Sequence, residues 1–226
     1  TTTTTTTTTT SMTTIPGTDD AVAPVFKDLC EVGGDTGQVV ISDSMGSLHL
    51  VDCRAQNLLL SRRISSYPLT SPAAYVSSTT IDKDGSTHQD TVAGTSAIVV
   101  VVVVGSYDGT IHCLKDWKEC WCLNLHATVY AAPVLLPPTT AVFTNQDSSS
   151  LTTATTRTII IAATTTAGDV VFLEEDRVLS TYRIHAEIWS KPTIATYDDA
   201  DSVDNAGRLV FLCGARDSRL HLLSIR

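Results

Sequence analysis

Val99-Val100-Val101-Val102-Val103-Val104, then Gly105-Ser106-Tyr107-Asp108-Gly109, then Thr110-Ile111-His112-Cys113-Leu114: the reading of this stretch decides the fold. Two β-branched apolar runs joined by Asp-Gly predict a hairpin, because a tight turn that follows the strand twist needs positive φ, which Asp and Gly tolerate. The phrase continues through Trp121 to Val129-Tyr130-Ala131-Ala132-Pro133. It recurs three more times in the chain.

Each unit opens with small or apolar residues around a Pro: Ala23-Pro24-Val25, Ser71-Pro72-Ala73, Ala132-Pro133-Val134 and Lys191-Pro192-Thr193. A β-branched strand runs into a turn at Met45-Gly46, Asp108-Gly109, Ala167-Gly168 or Asp217-Ser218, and an alternating strand follows, such as Leu48-His49-Leu50-Val51 or Leu220-His221-Leu222-Leu223. A last strand precedes the next Pro. From Gly46 to Pro72, Gly109 to Pro133 and Gly168 to Pro192 the distances are 26, 24 and 24 residues, so this half of the unit is fixed. The other half varies, through polar inserts at residues 77–96, 139–158 and 197–207. A repeat architecture places such equivalent inserts on one face. That face would be acidic, with Asp82, Asp84, Asp90, Asp147, Asp198, Asp199, Asp201 and Asp204, in the manner of solvated loops.

Short strands with turn signals and no helical period predict an all-β fold. The expected architecture is a partial β-propeller of about four blades, each a four-stranded antiparallel sheet, with the last blade incomplete. Units fall at about residues 21–64, 69–125, 130–184 and 189–226, after a Thr-rich head, residues 1–20, that has almost nothing to bury and is expected to be disordered. Propellers close with about four to eight blades, so this is either a very small ring or part of a larger one. A start at Thr1 is the expectation for a fragment.

With 24 acidic and 15 basic residues the net charge is -9, opposite to what a phosphate-binding surface requires, so nucleic acid is not an expected partner. The longest apolar run, residues 97–104, is too short for a helical membrane span of about 20 residues. No membrane partner is expected. Six cysteines are too sparse for a disulfide scaffold, and none of Asn57, Asn124, Asn145 and Asn205 begins a glycosylation acceptor. Both observations point to a reducing, cytoplasmic setting.

The stretches Val104-Gly105-Ser106-Tyr107-Asp108-Gly109, Val129-Tyr130-Ala131-Ala132-Pro133, Ile161-Ala162-Ala163 with Gly168-Asp169-Val170, and Cys213-Gly214-Ala215-Arg216-Asp217 resemble the PQQ-type, or quinoprotein alcohol dehydrogenase-like, propeller repeat. Within that group they are most similar to the C-terminal propellers of beta-alanine-activating enzymes, in the acyl-CoA synthetase family. The resemblance implies a non-catalytic segment that acts as a scaffold or as an interaction or substrate-holding module. Its partners would be the remainder of its own polypeptide (missing blades, adenylation and carrier domains) or another protein. In quinone-binding relatives a Thr-Gly pair follows the third strand, whereas Asp116-Trp117 stands there in this chain, so the resemblance implies no cofactor. An independent quinoprotein-like ligand-binding propeller and a generic protein-interaction propeller remain the alternatives.

Leu69, Tyr130 and Trp189 each lie three residues before a unit's Pro and are the candidate ligand or partner contacts. Packing between blades is the competing role for such rings. His49, His112 and His221 share another position, three after the turn residue. Equivalent atoms of different blades approach a metal-ligand distance only at the central channel, so these are expected to be packing residues. Asp82-Lys83-Asp84-Gly85 departs from the EF-hand calcium spacing, and Cys120-Trp121-Cys122 lacks the second pair a zinc site needs. No nucleophile elbow, phosphate loop or zincin motif is present, so no catalytic, cofactor or metal residue is assigned.

Overall fold

Period-two alternation in β-branched residues becomes strand throughout. The computed structural model describes residues 25–32, 36–81, 95–136, 140–144, 151–155, 159–197 and 208–225, and every element among them is a β-strand. β1 (Phe26–Glu31), β2 (Gln38–Asp43), β3 (Ser47–Asp52) and β4 (Asn57–Arg63) form a first antiparallel sheet in chain order. β5 (Ala73–Ile81), β6 (Thr95–Gly105), β7 (Thr110–Lys115) and β8 (Lys118–Asn124) form a second. The third contains β9 (Val134–Leu136), β12 (Ile160–Thr164), β13 (Asp169–Glu174) and β14 (Arg177–Arg183); β10 (Thr140–Thr144) and β11 (Leu151–Thr155) make a separate hairpin inserted after β9. β15 (Thr193–Tyr197), β16 (Arg208–Gly214) and β17 (Leu220–Ile225) complete a three-stranded fourth sheet. The arrangement is of propeller type, and among the described residues the four sheets do not close a ring.

The sheets are joined by faces, and alternation assigns the faces. In β6, Val102 and Val104 pack with Val40 and Leu48 of the first sheet, whereas Val101 and Val103 pack with Ile161, Ala163, Val171 and Leu173 of the third. In β12 the neighbours Ile160 and Ala162 turn the other way, with Val170 and Phe172, onto Phe211 and Cys213 of the fourth sheet. A strand buried on both sides has no polar positions to alternate with, which is why residues 99–104 are all Val. Cys113 and Cys213 sit in these cores at 2% and 1% exposure. Burial pushes their thiols up to about 12 and about 11, and for Cys113 the nearby Cys120 adds to the shift. They act as small apolar side chains.

The hairpin between β6 and β7 corrects one expectation. Gly109 N–H donates to Ser106 O at 3.0 Å, and Ser106 N–H donates to Thr110 O at 2.8 Å. Only Gly109 has positive φ, at 91°, while Asp108 does not. This is a three-residue hairpin loop in which one left-handed residue closes the turn. Asp108 serves instead through its side chain, with Oδ1 accepting from Thr110 N at 2.9 Å. Partial burial works against ionisation of Asp108, yet hydrogen bonds from Thr110 and Ser106 hold its carboxyl below the usual range. Gly46 and Gly168 repeat the left-handed geometry, and Ser218 takes it in the fourth sheet at φ 63°.

Two inserts also differ from expectation. Ser77 to Ile81 pair with Val99 to Thr95, so β5 and β6 extend into the segment expected as loop, and the segment after β9 contributes the β10–β11 ladder. Thr, being β-branched, is among the residue types enriched in strands. The Thr-rich head, Gly33-Gly34-Asp35 and the insert aspartates, among them Asp82, Asp147 and Asp198, lie outside the described residues.

Candidate functional site

An antiparallel meander puts the β2–β3 type of turn and the loop leaving the fourth strand at the same end of each sheet. There the turn of one sheet meets the loop arriving from the sheet before it. Tyr107 N donates to Pro68 O at 3.0 Å, Thr166 N to Thr128 O at 2.9 Å and Arg216 N to Glu187 O at 2.8 Å, one equivalent bond at each of the three junctions. Leu69 bridges Ser106, and Ile188 bridges Ala215.

These bonds fix which residues are equivalent. Leu69 corresponds to Val129 and Ile188, and all three are fully buried. Tyr130 and Trp189 are the next residue along, at 38% and 45% exposure. Counting back from Pro places Leu69 with the two aromatics, but the first junction has one residue fewer between the bridge and the Pro. Thr70, directly after Leu69, takes the place of Ser190: its Oγ1 accepts from Gly105 N at 3.0 Å, as Ser190 Oγ accepts from Gly214 N at 2.9 Å. The aromatic position is the one skipped. Leu69 therefore presents no surface to a ligand, and the structure brings together Tyr130 and Trp189 alone of the three.

They are joined by a residue that the sequence reading passed over. Tyr107 stacks on Tyr130 with centroids 5.2 Å apart and planes at 29°, and Tyr130 meets Trp189 at 4.7 Å and 58°. The three rings make a continuous row across the second, third and fourth sheets. Tyr107 occupies the turn position that Arg216 fills in the fourth sheet, so position after the small turn residue was the signal for both. Rings at these separations gain about 0.5–1.5 kcal/mol per pair beyond area burial, which favours one shared surface over three independent side chains.

Beside Trp189 an open cavity of about 490 Å³ is lined by Trp189, Ser190, Gly214, Ala215 and Arg216. Glu187 Oε2 accepts from Trp189 Nε1 at 3.0 Å and from Arg216 Nη1 at 2.7 Å. The Arg216 hydrogen bond, then that of Trp189, holds the Glu187 carboxyl below its ordinary range. A carboxyl lowered in the folded state contributes fully above its unfolded pKa, about 4.3, and the contribution is lost as pH falls through the lower folded value. Trp189 emission should therefore change on acidification below about pH 4. Glu187→Gln should abolish the transition, and an unchanged titration in that variant would refute the assignment; Trp189→Phe identifies the ring responsible.

The three histidines do not converge. His49 binds Asp43 Oδ2 at 3.0 Å, His112 Nδ1 binds Glu119 Oε1 at 2.7 Å and His221 binds Asp217 Oδ2 at 3.0 Å, each within its own sheet. Among the described residues no group of three or more His, Cys, Asp or Glu side chains comes together. Trp117, in the turn between β7 and β8, holds φ at 65° and packs against the core between the first two sheets. Among the described residues no helix is long and apolar enough to cross a membrane.

No protein family and no curated protein matches the chain by sequence. Solved structures do match by shape. The computationally designed Ika4 protein aligns over 92% of this chain and 95% of its own, with a TM-score of 0.51 and 13% identity. The designed Ika8 protein aligns over 88% of this chain and 46% of its own, at 0.50 and 13%. BBS1N, solved in complex with ARL6DN, aligns over 89% of this chain and 55% of its own, at 0.54 and 10%. The chain thus spans about half the length of two of these three. At such identities the likeness is one of fold.

Proposed function

We propose that the chain is a non-catalytic interaction module of propeller type, which binds an extended segment of a protein partner along the Tyr107–Tyr130–Trp189 row. One observation carries this reading: two large rings, 38% and 45% exposed, belong to one unbroken aromatic surface beside an open cavity. Aromatic anchors of this kind dominate binding energy at protein interfaces. Kinship with PQQ-type repeats and with the C-terminal propellers of beta-alanine-activating enzymes belongs to the same proposal, and the repeated turn-and-Pro phrase supports it. In that setting the module would hold a partner or carrier-linked substrate beside adenylation and carrier domains. A reducing, cytoplasmic location fits the six free thiols, and the net charge of -9 favours protein over nucleic acid.

The test is a selection from a random peptide library on the whole chain. Peptides recovered should bind with Kd near the micromolar range and lose about tenfold or more with Trp189→Ala or Tyr130→Ala. Peptides indifferent to both substitutions would refute the reading. Pyrroloquinoline quinone should leave the melting temperature unchanged, because only a ligand that binds the folded form raises it. A dose-dependent rise would favour the quinoprotein alternative.

A further inference from the structure

Each of the three contacts between successive sheets has the same sense. The face of one sheet carrying Val40 and Leu48 meets the face of the next carrying Val102, Val104 and Leu114. Val101, Val103, Ile111 and Cys113 meet Ile161, Ala163, Val171 and Leu173. Ile160, Ala162, Val170 and Phe172 meet Phe211 and Cys213. Two faces of opposite sense are left over. On the fourth sheet, register puts Val210, Leu212, Leu220 and Leu222 on the side away from Phe211, with Leu220 and Leu222 at 71% and 61% exposure. On the first sheet, Val39, Ile41, Val51 and His49 share the side away from Val40. Phe26, 42% exposed, lies edge-on to His49 at 5.7 Å on that side.

We propose that these two faces pair head to tail between two copies of the chain, so that eight sheets close one ring. The leftover faces are the complementary members of a contact the chain already makes three times, and the exposures show that one copy does not bring them together. Two copies related by a two-fold axis would make the missing contact twice and leave no face over, as a closed heterologous ring requires. Eight blades is within the range of about four to eight at which propellers close. An uncovered apolar face is also a liability that soluble proteins seldom leave exposed.

Sedimentation equilibrium of the full chain should give twice the 24.1 kDa chain mass. Leu222→Lys at one end and Phe26→Lys at the other should each weaken pairing at least about tenfold. Mixing the two variants should restore a one-to-one pair, because each brings the intact face the other lacks. That rescue could not occur between misfolded chains. The proposal is overturned by a wild-type monomer at about 100 µM, by growth beyond two copies, by a pair insensitive to Leu222→Lys, or by a Phe26→Lys protein that still pairs with itself through like faces.

Discussion

Gly168→Ala should lower the unfolding free energy by about 3 kcal/mol or more, read from urea or thermal denaturation. Two costs add. Gly168 has φ of +89°, where an L side chain is strained. An added Cβ would also lie 2.0 Å from Ile184 O and 2.5 Å from Ala186 O, which are backbone atoms of the loop leading to Trp189. That loop cannot retreat freely, because Ile184 N donates to Gly168 O at 2.8 Å and Ile188 is fully buried. The comparison is Gly214→Ala, where the nearest atom is the Ser190 hydroxyl at 3.2 Å. It should cost less than about 1 kcal/mol. Equal losses at the two sites would mean that the turn geometry is not what fixes Gly168.

Phe211→Ala should cost about 3–5 kcal/mol, the range for emptying a buried aromatic site. Phe211 is fully buried, meets Phe172 edge to face at 5.6 Å, and stands at the centre of the contact between the third and fourth sheets. Leu222, on the opposite side of the same sheet, is 61% exposed in the single chain. At concentrations where the chain is monomeric, Leu222→Ala should fall within about 0.5 kcal/mol. A Phe211→Ala loss no larger than that of Leu222→Ala would remove the argument that alternation assigns the faces.

The sheet order was legible because its signals are local. The run at 99–104, the alternation in Leu48-His49-Leu50 and the fixed interval from turn to Pro each follow from period-two side-chain direction and turn sterics, which need no tertiary knowledge. The site was legible in part. Tyr130 and Trp189 shared a sequence position, but Leu69 was drawn into the same position by counting from Pro, and only the junction hydrogen bonds reveal the skipped residue. Tyr107, Glu187 and Arg216 stayed hidden because their grouping is made across sheets, where pairs far apart in sequence meet. The β10–β11 ladder was missed for another reason: short Thr-rich segments read equally well as loop or strand until a partner is supplied.

The variable segments after β5, β9 and β15 all join a sheet's first strand to its second, so they leave from the end opposite the aromatic row. Length can be added or cut there without altering the junction bonds that seat Tyr130 and Trp189. The molecule is in effect two-ended, with one extremity open to grafting or drift and the other held to fixed dimensions. A reporter peptide spliced between β5 and β6 would therefore mark the chain without disturbing what its opposite end grips.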